Sequence, residues 1–197
     1  MPAPALSHLI SNDKGHTVCN VSVAFDASVF KVWRDSTEFG VSDPKYPYWA
    51  MDLHVASWPT FSSTLLARYS GGKLVKGALY QLRGRFFVTT SRFGQESYLH
   101  IDEAIRFQGP GTIRSIKQPS FFMVGEVLSA SDTDLVVSWV TKDTYRRNSI
   151  YEQNAIISID SPLPQVQGFV NQLCIMEGRM ESSDHNRGWV CTGISQY

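Results

Sequence analysis

Apolar and polar residues alternate most regularly between Leu74 and Phe107, where the chain contains its clearest pair of predicted β-strands. Strand side chains point alternately to opposite faces, so every second residue belongs to the same face. The first run has an apolar face formed by Ala78, Tyr80, Leu82, Gly84, Phe86 and Val88. Its other face is mixed and cationic, with Leu79, Gln81, Arg83, Arg85, Phe87 and Thr89. This pattern predicts a half-buried strand with one face on a core and the other toward solvent or a ligand.

The second run predicts the partner strand of a hairpin. One of its faces carries Leu99, Ile101, Ile105 and Phe107, and the other carries Tyr98, His100, Asp102 and Arg106. The connecting residues 91–96 contain a glycine and predict a hairpin loop longer than two residues. Gly84, inside the first strand, predicts a bulge, a bend or the close approach of another backbone.

Short alternating runs recur along the rest of the chain. We predict strands at 17–25, 53–58, 150–159, 169–176 and 189–194, and a second hairpin from 121–129 and 135–141. Short helical segments are predicted within 26–40 and 60–69. Many short strands with few helical signals indicate an all-β fold with one or two short helices, either a β-sandwich or a barrel. The long, bent first strand feeding a hairpin is similar to the start of small closed barrels of the OB type.

The length of the chain favours one domain, either a large one or a small one with an added subdomain. Residues 1–16, which include two prolines and a glycine, are expected to be a flexible N-terminal arm, and 17–197 a single mostly-β domain. Hydrophobic residues make up 43% of the sequence, enough for a proper core. No run reaches the length of a membrane span and the N-terminus lacks the features of a signal peptide, so we expect no membrane association and a cytoplasmic or nuclear location.

Charge is distributed unevenly although the net charge is zero. Residues 53–95 contain six basic and no acidic residues, namely Arg68, Lys73, Lys76, Arg83, Arg85 and Arg92. Such a block predicts either an anion-binding face or a segment that acidic residues of the C-terminal part neutralise in the fold.

No motif for nucleotide, metal or nucleophilic chemistry is present in the sequence. The three cysteines and five histidines are widely scattered, so no metal site and no cofactor are predicted. The weak catalytic candidates are His100 and Asp102, which share a strand face and have the chemistry of an acid/base pair. A polar solvent face with a local hydrogen bond explains them more simply, and binding is favoured over catalysis.

Basic and aromatic residues are interleaved between Trp58 and Tyr98. Binders of single-stranded nucleic acid use cations for phosphates and rings for bases. We therefore predict a single-stranded DNA or RNA site formed by Lys73, Lys76, Arg83, Arg85, Phe87, Arg92, Phe93 and Tyr98.

Two other classes of function remain open. A barrel that encloses a small apolar molecule, as a carrier or as a cofactor-free isomerase or cyclase, would use His100, Asp102, Tyr145 and Arg146 as its polar groups. A protein–protein interaction module would use the aromatic loop at 44–49. The sequence predicts no oligomeric state.

Overall fold

The computed structural model describes residues 10–13, 16–34, 49–57, 65–91, 94–107, 118–143, 149–160, 166–182 and 187–197. These residues form the strands β1 (Ile10–Asp13), β2 (His16–Cys19), β3 (Val21–Arg34), β4 (Trp49–Val55), β5 (Leu65–Tyr69), β6 (Leu79–Ser91), β7 (Gly94–Arg106), β8 (Ser120–Ala130), β9 (Asp134–Asp143), β10 (Ser149–Ile159), β11 (Leu173–Ser182) and β12 (Arg187–Gln196). The helical content of the described part is one 3₁₀ turn, Val166–Phe169.

The chain divides into two compact units. The central unit comprises Val23–Pro119 and Ser182–Asn186, and the terminal unit comprises Met1–Ser22, Ser120–Glu181 and Arg187–Tyr197. The single domain over 17–197 stays a prediction. Within the predicted N-terminal arm, Ile10–Asp13 pairs with His16–Cys19 in an antiparallel hairpin.

The central unit contains a closed barrel of five strands in the order β3-β4-β5-β7-β6, with β6 paired back to β3. The pairs β3–β4, β4–β5 and β6–β7 are antiparallel, and the pair β5–β7 is parallel. Its interior is filled by side chains whose relative exposure is below 2%, including Met51, Leu53, Leu65, Leu82, Leu99 and Ile101. Full burial of an aliphatic side chain of this size stabilises the fold by about 1.5–3 kcal/mol.

The terminal unit repeats this topology with different residues. Its strands follow the order β8-β9-β10-β12-β11, with β11 paired back to β8 and a parallel β10–β12 pair. In each unit the strands therefore close as first-second-third-fifth-fourth-first, the five-stranded Greek-key barrel of the OB fold. The predicted all-β barrel of OB type is confirmed, and both predicted hairpins are present as β6–β7 and β8–β9.

Two helical predictions are wrong where the structure describes the residues. Residues 26–34 continue strand β3, and Leu65–Tyr69 form strand β5. In β3, valine and phenylalanine fit a pleated surface well. Strand β4 lies between β3 and β5 and pairs with both, so it supplies hydrogen-bond partners for the backbone groups of both segments. Residues 35–40 and 60–64 of these predictions lie outside the described part. No helix of the described residues is long and apolar enough to cross a membrane.

The β6–β7 hairpin is longer than predicted and carries the expected irregularity at Gly84. Pairing continues through Thr90 and Gln95 to Ser91 and Gly94, so most of the predicted connection belongs to the two strands, and the prediction of a loop longer than two residues is wrong. The register shifts between Arg83 and Gly84. A Cβ atom at Gly84 would collide with the carbonyl oxygen of His100, which is the close backbone approach that the sequence indicates.

Candidate functional site

The cationic face of β6 is present, and acidic residues of β7 lie across from it. Arg85 donates from Nε to Asp102 Oδ2 at 3.2 Å and from Nη2 to Asp102 Oδ1 at 3.0 Å. Arg83 lies 3.8 Å from Glu103 through Nε and Oε2, with both side chains about half exposed. The neutralisation weighed from the sequence thus occurs for these two arginines, and its acidic partners come from the neighbouring strand of the hairpin.

His100 accepts a third hydrogen bond from Arg85. The guanidinium Nη2 lies 2.8 Å from His100 Nδ1, and because arginine is only a donor, Nδ1 is the acceptor and the proton of the neutral ring lies on Nε2. Burial, with the charges of Arg85 and Arg68, lowers the pKa of His100 to about 3. His100 and Asp102 are 3.8 Å apart through Nδ1 and Oδ1, so the two predicted acid/base candidates are arranged as joint acceptors for Arg85.

Arg85 and His100 belong to a row of directly paired residues that crosses the outer surface of the central barrel. From β3 to β6 the row reads Trp33, Ala50, Arg68, His100 and Arg85. Its middle members are buried, with Arg68 at 3% exposure, whereas Trp33 and Arg85 at the two ends are partly exposed. Pairing across four strand boundaries fixes the spacing of these side chains.

A bulge brings aromatic and basic side chains together at the Trp33 end. The register between β3 and β4 shifts between Val29 and Lys31, which leaves Phe30 as the extra residue. Phe30 is 52% exposed, and its ring meets His54 edge-on at a centroid distance of 4.7 Å. The Lys31 ammonium lies 5.4 Å from the centroid of the Trp33 ring, within cation–π distance.

A second lysine–tryptophan pair lies where β4 begins. The Lys73 ammonium is 5.3 Å from the centroid of the Trp49 ring. Trp49 pairs across the sheet with Tyr69, the last residue of β5. The turn after Lys73 is anchored because Leu74 is buried and the backbone N–H of Val75 donates to the Tyr80 hydroxyl at 3.0 Å. An exposed lysine is therefore held over a partly exposed ring.

The structure separates the binding residues predicted from the sequence. Lys73 and Lys76 are exposed, Arg83 is exposed and Arg85 is partly exposed. Phe87 is buried at 1% exposure, so its ring is closed to a stacking base and the stacking role given to it is corrected. Arg92 and Phe93, together with the aromatic loop at 44–48, lie outside the described residues. For Tyr98 the structure describes only the backbone, as part of β7.

Sequence reasoning missed the residues on β3 and β4 that complete the surface, namely Phe30, Lys31, Trp33 and His54. The signal was present as a lysine and a tryptophan two residues apart, which places both on one face of a strand. The helix predicted within 26–40 would place Lys31 and Trp33 on different faces, so the shared face was missed, whereas His54 lies in a predicted strand.

The two units differ in charge and in the surface of their corresponding strands. The central unit contains twelve basic and nine acidic residues, a net charge of +3, and the terminal unit contains six and nine, a net charge of −3. The paired β9 and β10 expose mainly apolar, acidic and neutral polar side chains, including Val136, Ile156, Glu152 and Asn154, and one basic side chain, Lys142. A basic and aromatic surface is therefore a feature of the central barrel, whereas Lys142 is the only basic residue among the described side chains of β9 and β10.

Comparison with known proteins supports the fold. No protein-family model matches the chain, and no curated protein matches it either. Among solved structures, the chain is similar to a deletion mutant of the single-stranded DNA binding protein from Thermus aquaticus, with a TM-score of 0.61, 10% identity and coverage of 90% of this chain and 94% of that one. The wild-type form of that protein gives a TM-score of 0.57 and 12% identity, covering 90% of this chain and 92% of that one. At this identity the likeness shows the OB barrel fold alone.

Proposed function

We propose that this protein binds single-stranded nucleic acid, DNA or RNA, through the outer β3–β4 surface and the adjoining end of the central barrel. One observation carries the proposal: on the more basic barrel, Trp33 and Trp49 each have a lysine ammonium over the ring. Rings stack on bases without sequence preference, while the adjacent cations contact phosphates. The two similar solved structures are of a single-stranded DNA binding protein, and this chemistry agrees with that function.

The proposed surface overlaps the face that OB folds commonly use for binding. Their second and third strands, with the loops beside them, form the surface that binds oligonucleotides and oligosaccharides. In the central unit these strands are β4 and β5, and the proposed surface runs from β4 onto β3. The β9–β10 surface of the terminal unit has one described basic side chain, Lys142, among apolar, acidic and neutral polar ones, so it is less suited to phosphates and we assign the nucleic acid to the central barrel.

Each side chain has a role in this proposal. Lys31, Lys73 and Lys76 contact phosphates, and Trp33, Trp49 and the exposed Phe30 stack on bases. The contributions of Arg92, Phe93 and Tyr98 stay predictions from the sequence. The alternatives of a small apolar ligand and of a protein–protein interaction module also stay predictions.

The first experiment is fluorescence anisotropy with labelled single-stranded DNA, single-stranded RNA and duplex DNA, at low and at physiological salt. We expect single strands to bind more tightly than the duplex. We also expect log K to fall with log salt at a slope of about 0.7 per phosphate contacted. Absence of single-strand binding at low salt would overturn the proposal.

Variants then locate the site. Replacing Trp33 by Leu, which keeps an apolar side chain without an aromatic face, should weaken binding about fivefold to a hundredfold, the range for loss of one stacked base. Trp49→Leu should act similarly. Lys142→Ala, on the terminal barrel, is the matched charge control for Lys31→Ala and should leave affinity within about twofold of wild type. Equal effects of the two lysine variants would contradict the assignment to the central barrel.

A further inference from the structure

The arginines of β6 are already held by carboxylates of their own hairpin. Arg85 makes two hydrogen bonds to Asp102 and one to His100. The Arg85 side chain is 25% exposed and that of Asp102 is 46% exposed, so solvent reaches the pair. Beside it, Arg83 and Glu103 form a looser and more exposed pair at 3.8 Å.

The position of Asp102 follows from the irregular register of the hairpin. Arg83 pairs with Glu103, but Gly84 pairs with Ile101, so Asp102 is an extra residue on β7. A bulge re-aims the side chain of the residue that it inserts. In a regular ladder Asp102 would lie directly opposite Arg83, with Arg85 as its diagonal neighbour; as the extra residue it has no direct partner, and its carboxylate is hydrogen-bonded to Arg85.

We propose that Asp102, with Glu103 as a weaker second, is an internal competitor of nucleic acid for the β6 arginines. This inference rests on the proposed function. A phosphate group that contacts Arg85 must displace the Asp102 carboxylate, which has the same charge and accepts the same two-pronged hydrogen bond. The exchange replaces one anion by another, so Arg85 contributes less to affinity and to salt dependence than an arginine that is not ion-paired.

Wild-type single-stranded DNA binding therefore depends mainly on the lysine–tryptophan pairs. The β6 arginines contribute only where nucleic acid displaces their carboxylates. Asp102 limits non-selective attraction of anions to the hairpin, because only a polyanion that the lysine–tryptophan pairs also bind gains enough to displace it. Only one carboxylate, that of Asp102, has to be displaced to free Arg85.

The test compares Asp102→Asn with Asp132→Asn, the same substitution in an exposed turn of the terminal unit. With labelled single-stranded DNA at low salt, Asp102→Asn should bind about threefold to tenfold more tightly than wild type, with a salt slope steeper by about 0.7, the value for one added phosphate contact. Asp132→Asn, which makes the same change in net charge, should change affinity by less than about twofold and leave the slope unchanged.

A double-mutant cycle separates release of Arg85 from a general charge effect. In an Arg85→Ala background, Asp102→Asn should have only the small effect of Asp132→Asn, because the arginine that it would release is absent. If Asp102→Asn fails to fold, judged by circular dichroism, Glu103→Gln carries the test, since its pair is longer and more exposed.

The outcomes distinguish the two proposals. Wild-type binding with Asp102→Asn no tighter than Asp132→Asn overturns the competitor role and leaves the proposed function standing. An undiminished gain in the Arg85→Ala background also overturns it. Absence of wild-type binding at low salt, with Asp102→Asn equally inactive, overturns the proposed function and this inference together.

Discussion

Replacing Gly84 by alanine tests how closely the two strands of the central hairpin approach each other. A Cβ atom at this position would overlap the carbonyl oxygen of His100 and lie 2.9 Å from its carbonyl carbon and 3.0 Å from Leu99 Cδ1. Two of these neighbours are backbone atoms in the β6–β7 ladder, so they move only if the paired strands separate. We therefore expect Gly84→Ala to destabilise the central barrel.

Two opposing effects set the magnitude. Relief of the entropy cost of glycine in a strand favours alanine by roughly 0.5–1 kcal/mol. Inserting a methyl group into a closely packed site costs about 1–3 kcal/mol, and the backbone contact places Gly84 in the upper part of that range. The net expectation is a loss of about 1–2 kcal/mol in the free energy of unfolding. The same shift would move Arg85 relative to Asp102 and weaken their hydrogen bonds.

Urea denaturation, followed by tryptophan fluorescence, measures this loss. With an m-value of about 2 kcal/mol per molar urea, the midpoint should fall by about 0.5–1 M. Gly188→Ala is the matched control, because a Cβ atom there would have no heavy atom within 4 Å and Gly188 is also in a strand. A Gly84→Ala midpoint equal to or above that of the control would refute the close approach.

Three further expectations follow from burial. Because the pKa of His100 is held at about 3 in the fold, below its ordinary 6.5, the unfolded chain takes up this proton first. Stability should therefore fall as pH is lowered from about 6.5 toward 3. Over the same pH range, the urea midpoint of His100→Gln should fall less than that of the wild type. Burial raises the pKa of the Cys19 and Cys191 thiols to about 11, so a thiol reagent at pH 8 should label them slowly in the native protein and rapidly in urea. Phe30→Ala, at a half-exposed position, should weaken DNA binding in anisotropy titrations while changing the free energy of unfolding by less than about 1 kcal/mol.

Local pattern was sufficient for much of the fold. The period-two alternation in β6 and β7 predicted the faces, with Tyr80, Leu82 and Phe86 inward and Arg83 outward. The irregularity at Gly84 was also predictable, because a glycine between two arginines has no side chain to pack in a strand. These features depend on residues a few positions apart, so they can be predicted from the sequence alone.

Local pattern failed where strand pairing decided the outcome. Residues 26–34 carry aromatic and β-branched side chains that fit either a helical or an extended reading, and pairing with β4 selects the strand. The barrel topology occurs twice, but the sequence shows no repeat. Two barrels can share a topology with different side chains, because the fold requires only that the inward-facing positions be buried.

The candidate site divides in the same way. The sequence by itself determined that residues 53–95 contain six basic and no acidic residues, interleaved with aromatic rings, and that β6 carries arginines on one face. Only the tertiary structure decided that Phe87 is buried, that Lys73 lies over Trp49, and that Asp102 holds Arg85. The physical reason is that exposure and ion pairing depend on strand register and barrel closure, which join residues far apart in the chain, whereas alternation within a strand depends on neighbours alone.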